Sequence, residues 1–234
     1  MGLASADLAA IVARGAPVLL VDTCVLLDLI RDVTRNDVQV HNLIAANALL
    51  TAAENENDLI VIVSDHVRTE LTDNQRGVEE DARRGLTKFR EQVNRINQVA
   101  EQFGAATTID TTHLADHVAR TMAVLQRWAK IAITAPVGPD IECRAMRRVM
   151  QALAPSRKGK ESVKDCLVVE SYLEVAAELR VAGFSRRIVF ASSNTNEFLD
   201  NGTKQLHAQL QTDFGVHAID YAPNFGAAKH SLGL

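Results

Sequence analysis

Four polar side chains stand where an apolar run gives way to a helical pattern, or where a helical pattern begins. Carboxylate and amide oxygens are ligands for hard divalent cations. Carboxylates that crowd together repel one another, and a bound cation is the usual compensation. Magnesium or manganese held in this way can activate water and neutralise charge on a phosphate, so the chemistry indicated is phosphodiester hydrolysis. The four residues are Asp22, Glu70, Asp165 and Asn194.

Each of these residues also has a plain structural role open to it. Asp22 would serve as the cap of the helix that follows it, and Glu70 as a solvated helix residue. Asp165 would serve as a first-turn acid that interacts favourably with the helix dipole. Asn194 is a residue type that commonly caps a helix. Their common location favours a shared site over four separate roles.

The elements that would position these residues follow from the apolar pattern. The strand-like runs are continuous rather than alternating, which is typical of parallel strands covered on both faces. Helical patterns alternate with them, so the sequence predicts a three-layer α/β/α sandwich with a central parallel sheet of four to five strands. Ligands bind beyond the carboxyl ends of such strands, which is where the polar residues fall. The predicted strands are 18–21, 59–63, 188–191 and, more weakly, 216–221, and the predicted helices are 25–31, 67–75, 86–103, 112–133, 141–153 and 163–181.

Residues 76–133 contain two long helical patterns and no strand pattern. Gly104 and residues 107–112 supply a break and a helix cap between the two patterns. We expect a helical hairpin here, inserted into a single domain that spans residues 1–234. Residues 135–139 and 154–159 are rich in proline, glycine and charge, and they predict exposed loops.

Composition limits the class of protein. Hydrophobic residues make up 47% of the 234-residue chain, enough for a sizeable core, yet no run reaches the roughly 18 apolar residues of a membrane span. We therefore expect a soluble cytoplasmic protein without a membrane partner. Three cysteines without paired spacing argue against disulfides and a structural zinc site. With a net charge of −4, any contact with nucleic acid must be local.

Basic residues are concentrated just before Asp165. This stretch, residues 140–164, is the predicted contact with a nucleic-acid backbone, and a solvated mixed-charge face is the alternative. A second basic cluster, in residues 76–95, is diluted by acids and predicts an ordinary surface helix. The basic residues of the first stretch are Arg144, Arg147, Arg148, Arg157, Lys158, Lys160 and Lys164.

Taken together, the motifs resemble those of the PIN domain family. The resemblance covers residues 18–32, 60–71 and 162–221, and Lys164-Asp165-Cys166 with the later Ser-x-Asn-x-x-acid-Phe pattern is similar to a longer PIN-like branch. The motifs that carry it are Val21-Asp22-Thr23-Cys24-Val25-Leu26-Leu27-Asp28-Leu29, Thr69-Glu70-Leu71, Lys164-Asp165 and Ala191-Ser192-Ser193-Asn194.

By this resemblance Asp22, Glu70 and Asp165 would bind Mg²⁺ or Mn²⁺. Asn194 stands where the family has a fourth acid, and it can offer a metal its carbonyl oxygen but no negative charge. Glu197 would partly replace that acid, unless the turn that carries it faces solvent. Supporting roles are therefore implied for Thr23, Ser192 and Glu197.

Three functional hypotheses follow. The first is a metal-dependent endoribonuclease whose partner is nucleic acid, RNA in particular. The second is a catalytically weak PIN-like module that binds RNA or a protein partner, because Asn194 replaces an acid. The third is a receiver-like or phosphatase domain, and Cys24 counts against it because that chemistry usually needs a second acid two residues after Asp22. The sequence leaves open whether the protein forms a homodimer.

Overall fold

The core of the protein is a fully parallel sheet. The computed structural model describes residues 2–55, 58–159, 162–200 and 202–234. Helices flank the sheet, which confirms the predicted three-layer α/β/α sandwich. The strands within the described residues are β1 (Val18–Val21), β2 (Ile60–Ser64), β3 (Ile133–Ala135), β4 (Ile188–Ala191) and β5 (Ile219–Ala222).

The helices differ greatly in length. None of those in the described ranges is long and apolar enough to cross a membrane. A single 3₁₀ turn, Thr112–Leu114, precedes α5. The helices are α1 (Ser5–Arg14), α2 (Thr23–Leu27), α3 (Val40–Glu54), α4 (Asp65–Gln102), α5 (His117–Ile131), α6 (Pro139–Met150), α7 (Val163–Val181), α8 (Thr195–Phe198), α9 (Ala208–Val216) and α10 (Phe225–Leu232).

The strand order β3-β2-β1-β4-β5 places a reversal beside the first strand. From β1 the chain adds β2 and β3 on one side and then returns to add β4 and β5 on the other. Val21 at the end of β1 pairs with Ala191 at the end of β4. A crevice at the carboxyl ends of the strands forms at such a reversal, and it is the usual ligand site of an open parallel sheet.

A buried tyrosine ties this edge of the sheet to α7. The Tyr172 hydroxyl donates to the carbonyl of Val21, at the end of β1. It also accepts a 3.2 Å bond from the backbone N–H of Ser64, at the end of β2. Tyr172 is fully buried, so both bonds are shielded from water and are worth more than exposed ones. They fix the spacing between two strand ends and the helix that covers them.

The predicted helical hairpin is wrong in one respect. Its first helix, predicted at 86–103, is not separate from the helix predicted at 67–75, because α4 runs unbroken from Asp65 to Gln102 as one helix of 38 residues. The segment between the two predicted helices has no apolar periodicity, yet its backbone is helical. Ion pairs between residues one turn apart, such as Arg76 with Glu80, stabilise an exposed helix there. The helix ends just before Gly104, whose φ of 85° suits the break predicted there.

The sequence prediction missed several elements. The strand β3 has only three residues at the sheet edge, followed by the proline-rich stretch that was predicted as a loop. The helix α3 has buried residues such as Ala45, Leu49 and Leu50 but no narrow apolar stripe, so its periodicity is weak. The helices α1, α9 and α10 are short, and they were not predicted either.

Candidate metal and active site

Asp22 lies at the reversal, directly after β1. Its Oδ1 accepts a 2.7 Å bond from the Thr23 N–H, so it does cap α2. Its Oδ2 accepts from the Ser192 hydroxyl at 2.6 Å and from the Cys24 thiol at 3.2 Å. The side chain is buried, and this burial raises the pKa of Asp22, while the bonds from Ser192, Cys24 and Thr23 act in the opposite direction. Capping and membership of a polar site are therefore compatible.

Glu70 reaches the same edge from α4. The helix begins at Asp65 with Ser64 as its cap, since the Ser64 hydroxyl accepts from the Val67 N–H at 3.2 Å. This start turns Glu70 back over the strand ends, where its Oε2 accepts from the Thr23 hydroxyl at 2.7 Å. Thr23 is thus the link between the residue that follows β1 and the acid on α4.

Asp165 lies in the first turn of α7 and contacts Asn194. The Asn194 amide nitrogen donates to Asp165 Oδ1 at 3.0 Å. Burial raises the pKa of Asp165 to about 7, and the charges of Asp22, Glu197 and Glu70 contribute to the rise, while the Asn194 bond opposes it. Because each of these acids acts on Asp165, the four carboxyl groups form one electrostatic cluster.

Glu197 belongs to that cluster and does not face solvent. It lies in the short helix α8 with only 6% of its surface exposed, and its Oε2 accepts from the Ser162 hydroxyl at 2.9 Å. Ser162 precedes α7, so this bond holds two segments of the cluster together. Glu197 therefore brings a fourth carboxyl group to the cluster, in which Asn194 is neutral.

Cys24 is a site residue that the sequence interpretation missed. Besides donating to Asp22, its sulfur accepts from the Ser193 N–H at 3.1 Å and lies 3.3 Å from the Ser192 hydroxyl. Burial raises the pKa of the Cys24 thiol, so it stays protonated and acts as a donor. The contacts cross from α2 to the segment after β4, and sequence spacing gives no sign of them. Ser193 makes a further crossing bond, of 2.6 Å, to Asp28.

The donor set fits a hard divalent cation in kind. All of the acids in the cluster offer carboxylate oxygens, which Mg²⁺ and Mn²⁺ prefer, and their mutual repulsion is what a cation relieves. Across the described residues, however, no group of three histidine, cysteine, aspartate or glutamate side chains is close enough to hold a metal ion as it stands. Several oxygens are engaged in the hydrogen bonds above, so side chains would turn from those bonds to bind a cation.

The basic residues predicted to contact nucleic acid fall into two groups. Arg148 is buried, 2.8 Å from both Glu170 Oε1 and Asp213 Oδ2, and it also donates to the Ala154 carbonyl at 2.6 Å. Arg144 pairs with Glu170 at 3.1 Å and with Glu174 at 2.7 Å. Both arginines are therefore structural, and Arg148 cannot reach a phosphate without unfolding its surroundings.

The other predicted contacts are more accessible. Arg147, Arg157 and Lys158 are exposed, and Lys160 lies outside the described residues. Lys164 is exposed and places its Nζ 3.4 Å from Glu70 Oε1, at the border of the acidic cluster. The exposed residues remain candidates for phosphate contact.

The family comparison agrees with this geometry. The PIN domain family model matches residues 19–198, from β1 to the end of α8, which is more than half of the chain. The chain is a PIN domain. The matched span includes every acid of the cluster. PIN domains are generally metal-dependent nucleases and usually use Mg²⁺ or Mn²⁺. No curated protein and no solved structure matches the chain.

Substitution of Asp165 by asparagine should change stability in a pH-dependent way. The carboxyl group has a pKa of about 7 in the fold, against an ordinary value of 3.8, so the folded state holds an extra proton between these pH values. The stabilisation of the fold by this extra proton is fully present below pH of about 4 and is lost as pH rises through about 7. Without metal, we expect Asp165→Asn to be more stable than the parent at pH of about 8, by roughly 2 kcal/mol.

Urea unfolding at a series of pH values in EDTA measures this difference. The difference should vanish toward pH of about 4, and the exposed Asp220→Asn should show no such trend. An Asp165→Asn variant that is less stable than the parent at the higher pH would contradict the assigned electrostatics.

Arg148 and Arg147 are adjacent in sequence but should differ sharply when replaced. Arg148→Gln leaves Glu170 and Asp213 without their shared cation, and loss of one member of a buried ion pair costs about 3 kcal/mol. Arg147→Gln removes an exposed side chain and should change the free energy of unfolding by less than about 0.5 kcal/mol. Urea denaturation compares the two, and equal effects would show that Arg148 is not structural.

Proposed function

We propose that this PIN domain is a divalent-metal-dependent endoribonuclease. The observation that carries the proposal is the cluster of Asp22, Glu70, Asp165 and Glu197. Burial, together with the charges of the other three acids, raises the pKa of Asp165 to about 7. A purely structural set of caps would not need four acids at one crevice. Such a concentration of negative charge is costly, and it is typical of a site that binds a cation during its function.

In this proposal Asp22 and Glu70 would hold the cation from the end of β1 and from α4. Asp165 and Glu197 would hold it from α7 and α8. Bound Mg²⁺ or Mn²⁺ supplies activation of water and neutralisation of charge on the phosphate. Thr23 and Ser192 orient the carboxylates of Glu70 and Asp22 through the hydrogen bonds described above.

Asn194 has a different role from the fourth acid of the family. Its amide donates to Asp165, which favours the ionised form of that carboxyl group and opposes the repulsion from neighbouring acids. Its carbonyl oxygen remains a candidate ligand. The proposed fourth acid is therefore Glu197, with Asn194 beside it as a neutral partner.

Exposed cations near the cluster are proposed to hold the substrate. Lys164 borders Glu70, and Arg157 and Lys158 lie on the loop that leads into α7. Side chains of this kind bind phosphate oxygens without regard to base sequence. Arg147 is exposed as well and is kept in the proposed set, whereas Arg144 and Arg148 are left out. The cytoplasmic location expected from the sequence stays a prediction.

A second candidate function is a PIN module that binds nucleic acid or a protein and cleaves poorly. It is favoured by the lack of a ready metal-binding trio among the described residues. The two candidates differ in whether a cation brings about cleavage, so one experiment separates them.

Cleavage assays with labelled RNA and DNA, single-stranded, structured and circular, test the nuclease proposal. We expect cleavage of RNA, circular RNA included, in Mn²⁺ and none in EDTA. Loss of a residue that only supports a metal ligand typically costs 10- to 100-fold, so Asp22→Asn, which removes a proposed ligand, should lose about 100-fold or more. Asp220→Asn, the same change at an exposed site on β5, should keep full activity. Metal-independent cleavage or an active Asp22→Asn variant would exclude the mechanism, and tight binding without cleavage would support the module instead.

Glu197→Gln tests the identity of the fourth acid. The change keeps the size and an oxygen that can accept from Ser162, but it removes a charge that raises the pKa of Asp165. We expect activity to fall about 10- to 100-fold and the acidic limb of the pH–rate profile to move to lower pH. Glu142→Gln, at an exposed position of α6, is the matched control. Normal activity with an unshifted profile would remove Glu197 from the site.

A further inference from the structure

The helix α4 extends far beyond the part that carries Glu70. It is 38 residues long, and Glu70 lies in its second turn. At about 1.5 Å per residue, the helix continues for about 48 Å past Glu70. The proposed chemistry uses only the first two turns. Farther along, one face of the helix is buried through residues such as Leu86, and its exposed face has no part in that chemistry.

Three basic residues of α4 share the face of Glu70. With about 3.6 residues per turn, Arg84, Lys88 and Arg95 point within about 40° of the direction of Glu70, and Lys88 lies about 27 Å from it along the axis. Between Glu70 and Lys88 the helix surface is open at Gly77, where a Cβ atom would meet no heavy atom within 4 Å. A ligand that runs from the acidic cluster toward Lys88 would pass this open position.

A groove lies on this part of α4. It has a volume of about 550 Å³, and its walls include Arg84, Lys88 and Phe89 of the helix and Asp32 of the segment that follows α2. That segment comes very close to the helix, since a Cβ atom at Gly85 would lie 1.9 Å from Asp32 Oδ2. The groove is thus bounded on one side by a segment that leads back through α2 to Asp22.

Only some of the cations on this face are available to a ligand. Arg84 is paired with Asp81, and Arg76 and Arg83 are paired with Glu80 and Glu79. Within the described part of the chain, Lys88 and Arg95 make no ion pair or hydrogen bond, and both are exposed. They are the two cations here that a phosphate could approach without displacing an acid.

An aromatic ring lines the same groove as Lys88. Phe89 lines the groove and is 37% exposed, in a chain with few aromatic residues. Unpaired cations next to an exposed aromatic ring are the combination that binds single-stranded nucleic acid, through phosphate contacts and base stacking. A duplex would leave the ring without a base face to contact.

We propose that this face of α4 is a second nucleic-acid contact, which binds a single-stranded substrate several nucleotides away from the cut. The proposal rests on the proposed nuclease function and adds to it a preference for long single strands. It also assigns a role to Lys88 and Arg95, two members of the basic cluster that the sequence predicted to be an ordinary surface helix. A substrate must span about 27 Å to reach both Glu70 and Lys88.

Binding measurements test the contact apart from catalysis. The chain with Asp22→Asn is titrated in EDTA with a fluorescent single-stranded RNA of about 20 nucleotides, with and without Lys88→Gln and Arg95→Gln together. Two lost phosphate contacts should lower the slope of log K against log salt by about 1.4, and affinity at low salt should fall about tenfold. The same titration with single-stranded DNA should show the same change, because the contact is to the backbone.

The matched control is Arg90→Gln with Arg186→Gln, which removes equal charge. Arg90 lies on the opposite face of α4, and Arg186 is exposed just before β4, at the far edge of the sheet. We expect the control to keep the parent salt slope. An unchanged slope in the Lys88 and Arg95 variant, or an equal loss in the control, overturns the proposal.

Cleavage of long and short substrates separates this proposal from the nuclease proposal. In Mn²⁺, the Lys88 and Arg95 variant should lose about tenfold in kcat/KM on RNA of about 20 nucleotides and nothing on RNA of about 4 nucleotides, which cannot span the distance. Equal loss on both lengths overturns the contact. If the salt slope falls but no RNA is cleaved, the contact is supported and the nuclease proposal fails. If RNA is cleaved but the salt slope is unchanged, the nuclease proposal is supported and the contact fails.

Discussion

Burial of the Asp22 carboxyl group at the ends of β1 and β4 is the constraint on which the site depends. A buried carboxylate is costly unless hydrogen bonds satisfy it, and here the donors come from Thr23, Cys24 and Ser192. Ser192 can donate only because Val21 pairs with Ala191, which sets the next residue of each segment side by side. A shift of one residue in the pairing of β1 with β4 would turn Ser192 to the other face of the sheet and leave Asp22 without its shortest hydrogen bond.

The same burial explains the balance of charge in the crevice. Each further acid raises the cost of ionising its neighbours, and Asp165 shows the result in a pKa of about 7. Asn194 reduces that cost, because it offers Asp165 a donor where another carboxylate would add repulsion. The carboxyl group of Glu197 lies one turn further on, where Ser162 donates to it. In the proposed nuclease, two residues would therefore share what a single fourth acid does elsewhere in the family.

The sheet and most of the site could be predicted from the sequence, because both depend on local patterns. Continuous apolar runs mark β1, β2 and β4, and each is followed within a few residues by a polar side chain of the cluster. Glu197 and Cys24 were harder to assign, because burial on a turn and a bond across two segments depend on tertiary packing. The same holds for Arg148: nothing in a basic stretch distinguishes a side chain that points into the core from its exposed neighbour Arg147. The continuity of α4 was missed because an exposed helix has little apolar periodicity to detect.

The basic stretch before α7 illustrates how one segment can serve two purposes. Arg148 joins Glu170 of α7 to Asp213 of α9 and to the Ala154 carbonyl, so it fixes the helix whose first turn carries Asp165. Ser162, at the end of the same stretch, fixes Glu197. The charges that remain exposed, on Arg157, Lys158 and Lys164, lie on the backbone that these inner contacts anchor. In the proposed nuclease, the buried network would set the distance between these cations and the acids. Arg148 would then influence substrate binding only through the position of α7.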